Sequence, residues 1–367
     1  MTNKPYSNFN ATLAIAKASF RSILRSPSAV VFTLLFPLIF ILVFGFIGGG
    51  GLSIDVGVAK TCDTKNPLFD SLKHSKIINL IQTEPTADMN ADLLKGHIDA
   101  ILNIQKHDTP PYLTVNVQYT KASQEKGTIL QSIFTKIFYR IDEATHTGNA
   151  PPPVAELKET TVSGREYKTI DFILPGQLGF SLLSSGVFGT AFVFLSLRLT
   201  LVIKRFFATP VKRYSIVLGE AIARICFALI GALFIILIGH FAFGFTLIHG
   251  FSTVLQMMIL SLIGVIVFMG FGFVVSGIAK NESTVPPIAN LITLPQFLLS
   301  GTFFGISAFP TWLQPICRVL PLTFLNDAMR KVAFEGANLF DVKLQIFYIL
   351  LWGIGIYALA VKTFKWE

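Results

Sequence analysis

The sequence predicts an α-helical polytopic membrane protein. It has six transmembrane helices, a re-entrant outer segment, and a small α/β extracytoplasmic domain between the first two spans. Three observations carry this. Hydrophobic residues make up 52% of the 367 positions and charged residues only 14%, the composition of a membrane chain with an appreciable soluble portion. Apolar runs able to cross a ~30 Å hydrocarbon core recur along the chain. The charge is also unevenly placed: residues 50–171 hold 15 acidic and 13 basic side chains, the remainder 6 acidic and 17 basic. The net charge of +9 therefore belongs to the membrane portion. There it sets orientation, and the basic pI calls for no nucleic-acid partner.

Residues 1–28 read as a cytoplasmic amphipathic helix. Lys4, Lys17, Arg21 and Arg25 are its charges, no acid is present, and Leu13, Ala16, Phe20, Ile23 and Leu24 recur at helical spacing. Pro27 precedes the first span, taken as residues 29–49, with Pro37 as an expected kink. A basic stretch before an apolar run also suits a signal peptide. This run exceeds the ~7–15 residues of such a segment, which favours an uncleaved span.

Residues 50–171 read as the outer α/β domain. Ile54 to Ala59 is a short apolar strand, and Met89 to Ile104 reads helix, turn, strand with Gly96 as the helix stop. From Tyr112 to Tyr119, Leu113, Val115 and Val117 alternate with polar neighbours, a half-buried strand. Ser123 to Ala144 suits an amphipathic helix, and Pro151 to Pro153 a stiff connector. His74, His97, His107 and His146 are scattered without metal-ligand spacing, so no metal site is expected. Cys62, Cys226 and Cys317 make no disulfide framework.

Residues 172–367 form the transmembrane domain, with spans two to six at about Phe172–Leu201, Val217–Phe243, Val254–Ile278, Ile288–Phe304 and Leu344–Val361. Six spans put both termini on the cytoplasmic side, where Lys and Arg cluster. Phe309 to Val319 is too short and too broken by proline to span. It can lie at membrane depth only under the cover of other helices. Arg318, Arg330 and Lys331 lie on the outer side against the charge rule, which favours a packed re-entrant element.

Between the second and third spans every charge is positive: Arg198, Lys204, Arg205, Lys212 and Arg213. Phe206, Phe207 and Val211 are interleaved with them, an amphipathic piece at the membrane surface. Thr209 and Pro210 suit an N-cap and first helical position, with a helix running on from Lys212. Anchoring to anionic lipid explains the same residues. Glu220 and Arg224, four residues apart, suit a local ion pair.

The run from Arg205 to Gly219 resembles the second-to-third-span loop of type-2 ABC exporter permeases, the ABC-2 branch with a long outer loop. Arg205, Ala208, Thr209, Pro210, Val211, Arg213 and Gly219 fit; Glu220 stands where Lys is common. The family's usual upstream glutamate is replaced by the stretch Leu199 to Ile203, so no role for it carries over. The outer-domain pattern Leu93 to Ile104 is similar to that of the same branch. The stretch from Pro287 to Gly336 resembles the family's fifth span and re-entrant segment through Pro295, Ser300, Gly301, Phe303, Phe309, Pro310, Trp312, Pro321, Leu322, Thr323, Asp327, Ala328 and Arg330. Gly305 stands where the family often has proline.

The resemblance implies a multi-pass cell-membrane protein, expected in a bacterial inner membrane, acting as the permease subunit of an ATP-driven exporter of an amphiphilic substrate. It implies two ABC ATPase subunits that bind ATP and Mg, a second permease copy or close relative, and contacts with membrane lipids. Arg205, Phe206, Phe207, Thr209, Pro210 and Arg213 would couple to the ATPase. The substrate pathway would use Phe180, Ser184 and Val187 of the second span, with Asn290, Thr293, Phe297, Ser300 and Phe304 of the fifth. Each set steps by three or four along its helix, a pattern that also suits helix packing. No catalytic residue is expected: the chain has no phosphate-binding G-x-x-x-x-G-K-[ST] loop, no H-E-x-x-H and no nucleophile elbow. An ATPase-linked membrane sensor or scaffold is the alternative. A secondary carrier is disfavoured, because such carriers keep ionisable groups at mid-membrane.

Overall fold

The computed structural model describes residues 7–26, 31, 35–46, 54–73, 75, 77–82, 86–96, 98–107, 113–120, 124–145, 155–162, 169–200 and 210–363. The chain divides into two compact units: residues 1–49 with 169–367, and residues 50–168.

In the first unit, α1 (Asn8–Leu24) and α2 (Phe36–Phe46) precede four long helices. Those are α6 (Thr169–Leu199), α7 (Arg213–Phe243), α8 (Phe251–Ile278) and α12 (Lys343–Thr363), each long and apolar enough to cross a membrane. Between α8 and α12 come α9 (Val285–Leu299), α10 (Gln314–Val319) and α11 (Pro321–Arg330), the last extended by a π-helical turn at Lys331–Glu335. Four of the six expected spans are thus long apolar helices. The expected first span falls partly outside the described residues, and Pro37 lies in the first turn of α2. The expected fifth span is a 15-residue helix that ends at Leu299, five residues early. Gly301 takes φ 68°, a left-handed conformation that stops the helix.

α6 and α8 are apolar all round and together form the buried centre of the unit. Along their apolar stretches 67% and 72% of residues are buried, against 22% for α12 at the edge. The contact between them is close because Gly186 and Gly272 face it. A Cβ on Gly272 would stand 2.7 Å from the Val187 carbonyl oxygen. α1 lies along α7: Ile23 packs on Ala223 and Phe227, and Gly219 admits Ile15. Of the expected apolar face of α1, Ala16 and Ile23 are buried, while Leu13 and Leu24 stay exposed.

The second unit is a five-stranded mixed sheet in the order β2-β1-β3-β4-β5. The strands are β1 (Ile54–Val58), β2 (Ile78–Ile81), β3 (Ala100–Lys106), β4 (Leu113–Thr120) and β5 (Ala155–Val162). β3 and β4 run antiparallel, while the β1–β2, β1–β3 and β4–β5 pairs are parallel. Helices α3 (Pro67–Lys73) and α5 (Gln124–Thr145) supply Leu68, Leu72, Leu130 and Phe134 to one face of the sheet. α4 (Thr86–Lys95) covers the other face with Met89 and Leu93. Leu113, Val115 and Val117 alternate inward as their spacing predicts. Gly96 ends α4 at φ 75°. Pro151 to Pro153 lie outside the described residues.

Candidate functional site

The expected pathway residues meet where α6 and α9 run past one another. The rings of Phe180 and Phe297 lie 3.9 Å apart. Phe36 and Phe40 of α2 close on them, with ring centroids 5.8 Å from Phe180 and 6.0 Å from Phe297. Phe303, just beyond α9, stands 4.8 Å from Phe297. Val187, Thr293 and Ser300 are buried in the same region and Ser184 is half-buried, whereas Asn290 and Phe304 are exposed at either end. The two faces therefore pack on each other, with α2 as a third wall.

One turn from the aromatic pair, toward the start of α6 and the end of α9, the packing turns polar. α6 and α9 run antiparallel here, so Gln177 and Ser300 are level with one another, each three residues from its phenylalanine. Gln177 is fully buried, and among the described residues neither end of its amide has a partner; the Ser300 hydroxyl and the Asn326 amide oxygen have none there either. Asn326 donates from Nδ2 to the Ser300 carbonyl at 3.2 Å and to Thr302 Oγ1 at 3.4 Å. Its Oδ1 lies over Gly179, where a Cβ would overlap it. Gly176 likewise admits the Thr302 backbone; a Cβ there would stand 2.6 Å from the Thr302 carbonyl oxygen. An unpartnered buried polar group costs about 1–3 kcal/mol. Such a cluster is a place where a water or a polar ligand group would gain hydrogen bonds. The sequence reading missed Gln177 and Asn326. The signal for Gln177 is that it is the one amide in the apolar run 172–199.

Of the charges expected on the outer side, two are tied down. Arg330 donates from Nε to the Phe172 carbonyl at 3.1 Å and from Nη2 to the Gly301 carbonyl at 2.5 Å, with its guanidinium 3.6 Å over the Phe172 ring. Lys331 pairs with Asp327 at 2.9 Å. Arg318 stays exposed, reaching only Gln314. Asp171, in the first turn of α6, accepts from the Thr246 amide at 2.7 Å and its hydroxyl at 3.1 Å, pinning the α7–α8 turn. These bonds make the stretch from Gln314 to Glu335 a packed element, the form expected for a segment too short to span.

At the opposite end, Arg205, Phe206, Phe207 and Thr209 lie outside the described residues. Pro210 and Arg213 are exposed. α7 starts at Arg213 with Lys212 in the N-cap position, within a residue of the start expected at Lys212, while Pro210 is not helical. Arg198, in the last turn of α6, donates to the Ala279 carbonyl at 2.5 Å and so caps the end of α8. Glu220 and Arg224 do not close to an ion pair; the carboxylate accepts instead from Ser19 of α1 at 2.5 Å.

Comparison with known proteins bears on the same segments. The model of the family described as ABC-2 family transporter protein matches residues 27–362. ABC transporter G family member 20 of Dictyostelium discoideum is 23% identical over 372 residues, which cover 95% of this chain and 50% of that relative. The chain thus spans about half the length of the curated relative it matches.

Proposed function

The chain belongs to the ABC-2 family of transporter proteins, and on that premise we propose that it is the permease subunit of an ATP-driven exporter. In this reading it moves an amphiphilic substrate outward, while ATP and Mg are bound and the ATP hydrolysed by two ABC ATPase subunits. A second permease copy, or a close relative, completes the route across a two-fold axis. The proposed setting is a bacterial inner membrane with both termini cytoplasmic.

The observation that carries this reading is the graded face between α6 and α9. Aromatic rings in close, tilted contact sit at its middle, and a buried set of amides and hydroxyls lies one turn outward. Rings take up the apolar part of an amphiphile by offset stacking. Unpartnered amides and hydroxyls favour its polar part, because they gain hydrogen bonds that the closed packing denies them. Both would be uncovered together if α9 moved off α6. On the cytoplasmic side Phe206, Phe207, Pro210 and Arg213 would dock on the ATPase, with Thr209 at the turn and Arg205 steering the approach. Arg198 would carry the displacement to the end of α8 through its bond to Ala279.

Reconstituted vesicles holding the permease and its ATPase test the proposal. Transport should stop when the ATPase is catalytically dead. Phe207→Asp should abolish transport while insertion stays normal. Cysteines at Asn290 should cross-link between copies, and substrate should slow the reaction. ATP hydrolysis that responds to the outer domain with no solute movement would favour a sensor or scaffold instead.

A further inference from the structure

Arg224 is a cation set into an apolar part of the bundle. α7 has 31 residues and so spans ~46 Å, longer than the ~30 Å hydrocarbon core. Arg224 follows Arg213 by eleven residues and lies beyond Leu218 and Ile222, apolar side chains that are 49% and 41% exposed on the outer flank of the same helix. It is 8% exposed itself. Its guanidinium lies against the backbone of α6 at Gly189, where any Cβ would overlap it. Among the described residues no acceptor bonds to it, and Glu220, one turn nearer the cytoplasm, is the one opposite charge acting on it. That carboxylate is already engaged by Ser19.

A guanidinium has five donors in a planar fork that matches the two oxygens of a phosphate or carboxylate. Left without an acceptor in a low dielectric it is expensive. The junction where it sits is also walled by α1, whose Ile23 packs on Ala223 and Phe227. α1 carries exposed Lys17, Arg21 and Arg25 and no acid. A basic helix at the cytoplasmic surface concentrates anionic headgroups beside the site.

We infer that Arg224 is the receptor for the phosphate of an anionic inner-leaflet lipid, held at the junction of α1, α6 and α7. The lipid supplies the acceptor the guanidinium lacks, and Glu220 limits its affinity by repulsion. The inference goes beyond the transport reading and does not depend on which substrate is moved.

Native mass spectrometry of the full chain in detergent tests it, with phosphatidylglycerol and phosphatidylcholine as probes at high salt, where binding to exposed Lys17, Arg21 and Arg25 is screened. The intact chain should retain phosphatidylglycerol about tenfold better than phosphatidylcholine, the worth of one charge-assisted bond. Arg224→Gln should remove that preference and Arg224→Lys should keep part of it. Should Arg224→Gln fail to insert, Glu220→Gln decides the matter, because relief of repulsion should raise retention. Equal retention of both lipids by the intact chain, unchanged preference in Arg224→Gln, or weaker retention in Glu220→Gln would each overturn the assignment. Displacement of the lipid by an equal concentration of soluble glycerol phosphate would overturn the membrane source.

Discussion

Replacing Gly179 by alanine should separate α6 from α11. The added Cβ would overlap Asn326 Oδ1 and stand 2.9 Å from Leu322 Cδ1, both on a helix that is buried on its inner side. Overpacking of this kind costs about 1–3 kcal/mol. Displacing Asn326 also strains its bonds to the Ser300 carbonyl and Thr302 Oγ1, worth about 0.6–1 kcal/mol each in a membrane bundle. The expected loss is therefore about 2–5 kcal/mol. Equilibrium unfolding in mixed detergent measures it, with Gly355→Ala as the control. At position 355 a Cβ meets nothing within 4 Å, and the change should be neutral or stabilise by up to about 1 kcal/mol. An Asn326→Ala background removes the overlapping oxygen, so Gly179→Ala should cost clearly less there, with the residue set by Leu322. Equal costs at 179 and 355, or an undiminished cost in the Asn326→Ala background, would refute the argument.

Two further outcomes are expected. For topology, a cysteine at exposed Lys212 should be protected from an impermeant reagent in intact cells, while one at exposed Thr128 should react; the reverse pattern would invert the orientation. For pH, burial, with the nearby Asp63 adding to it, pushes the Cys62 thiol above its ordinary range against a hydrogen bond from the Ile104 amide. A raised thiol pKa means less thiolate at pH 8. Alkylation of Cys62, followed by peptide mass spectrometry, should then be slower than that of a model thiol and should rise at higher pH; a rate equal to the model thiol would sink this reading.

The long apolar helices were legible because hydropathy registers a whole run at once. α6, α7, α8 and α12 lie within a few residues of the stretches read from the sequence. Helix ends were less so. α9 stops at Leu299 because of the backbone at Gly301, and the following Phe303 lies off the helix. In the second unit the alternation of Leu113, Val115 and Val117 gave β4, whereas β5, A-E-L-K-E-T-T-V, is a polar edge strand without an apolar period and was missed. The short α3 and β2 were missed too, each being little longer than a turn of the pattern that would reveal it. At the candidate site, spacing brought Phe180, Thr293, Phe297 and Ser300 to one region. It gave no warning of α2, whose Phe36 and Phe40 complete the aromatic group. Nor did i,i+4 spacing foresee that Glu220 would bond across to α1, since that depends on which neighbour covers the helix.

The order of strands in the sheet bears on how this chain was assembled. β1 and β5 are three places apart, about 14 Å at the usual strand spacing. Following the parallel and antiparallel pairings across the sheet, they run in opposite directions. The chain thus enters the unit at the start of β1 and leaves it at the end of β5, both on one end of the sheet. The helices on either side of the insertion, α2 and α6, pack against each other within their own unit. An insertion whose two ends emerge together, between two helices that touch, has the form of a cassette: exchanging it for a brief linker should leave α2 and α6 in contact.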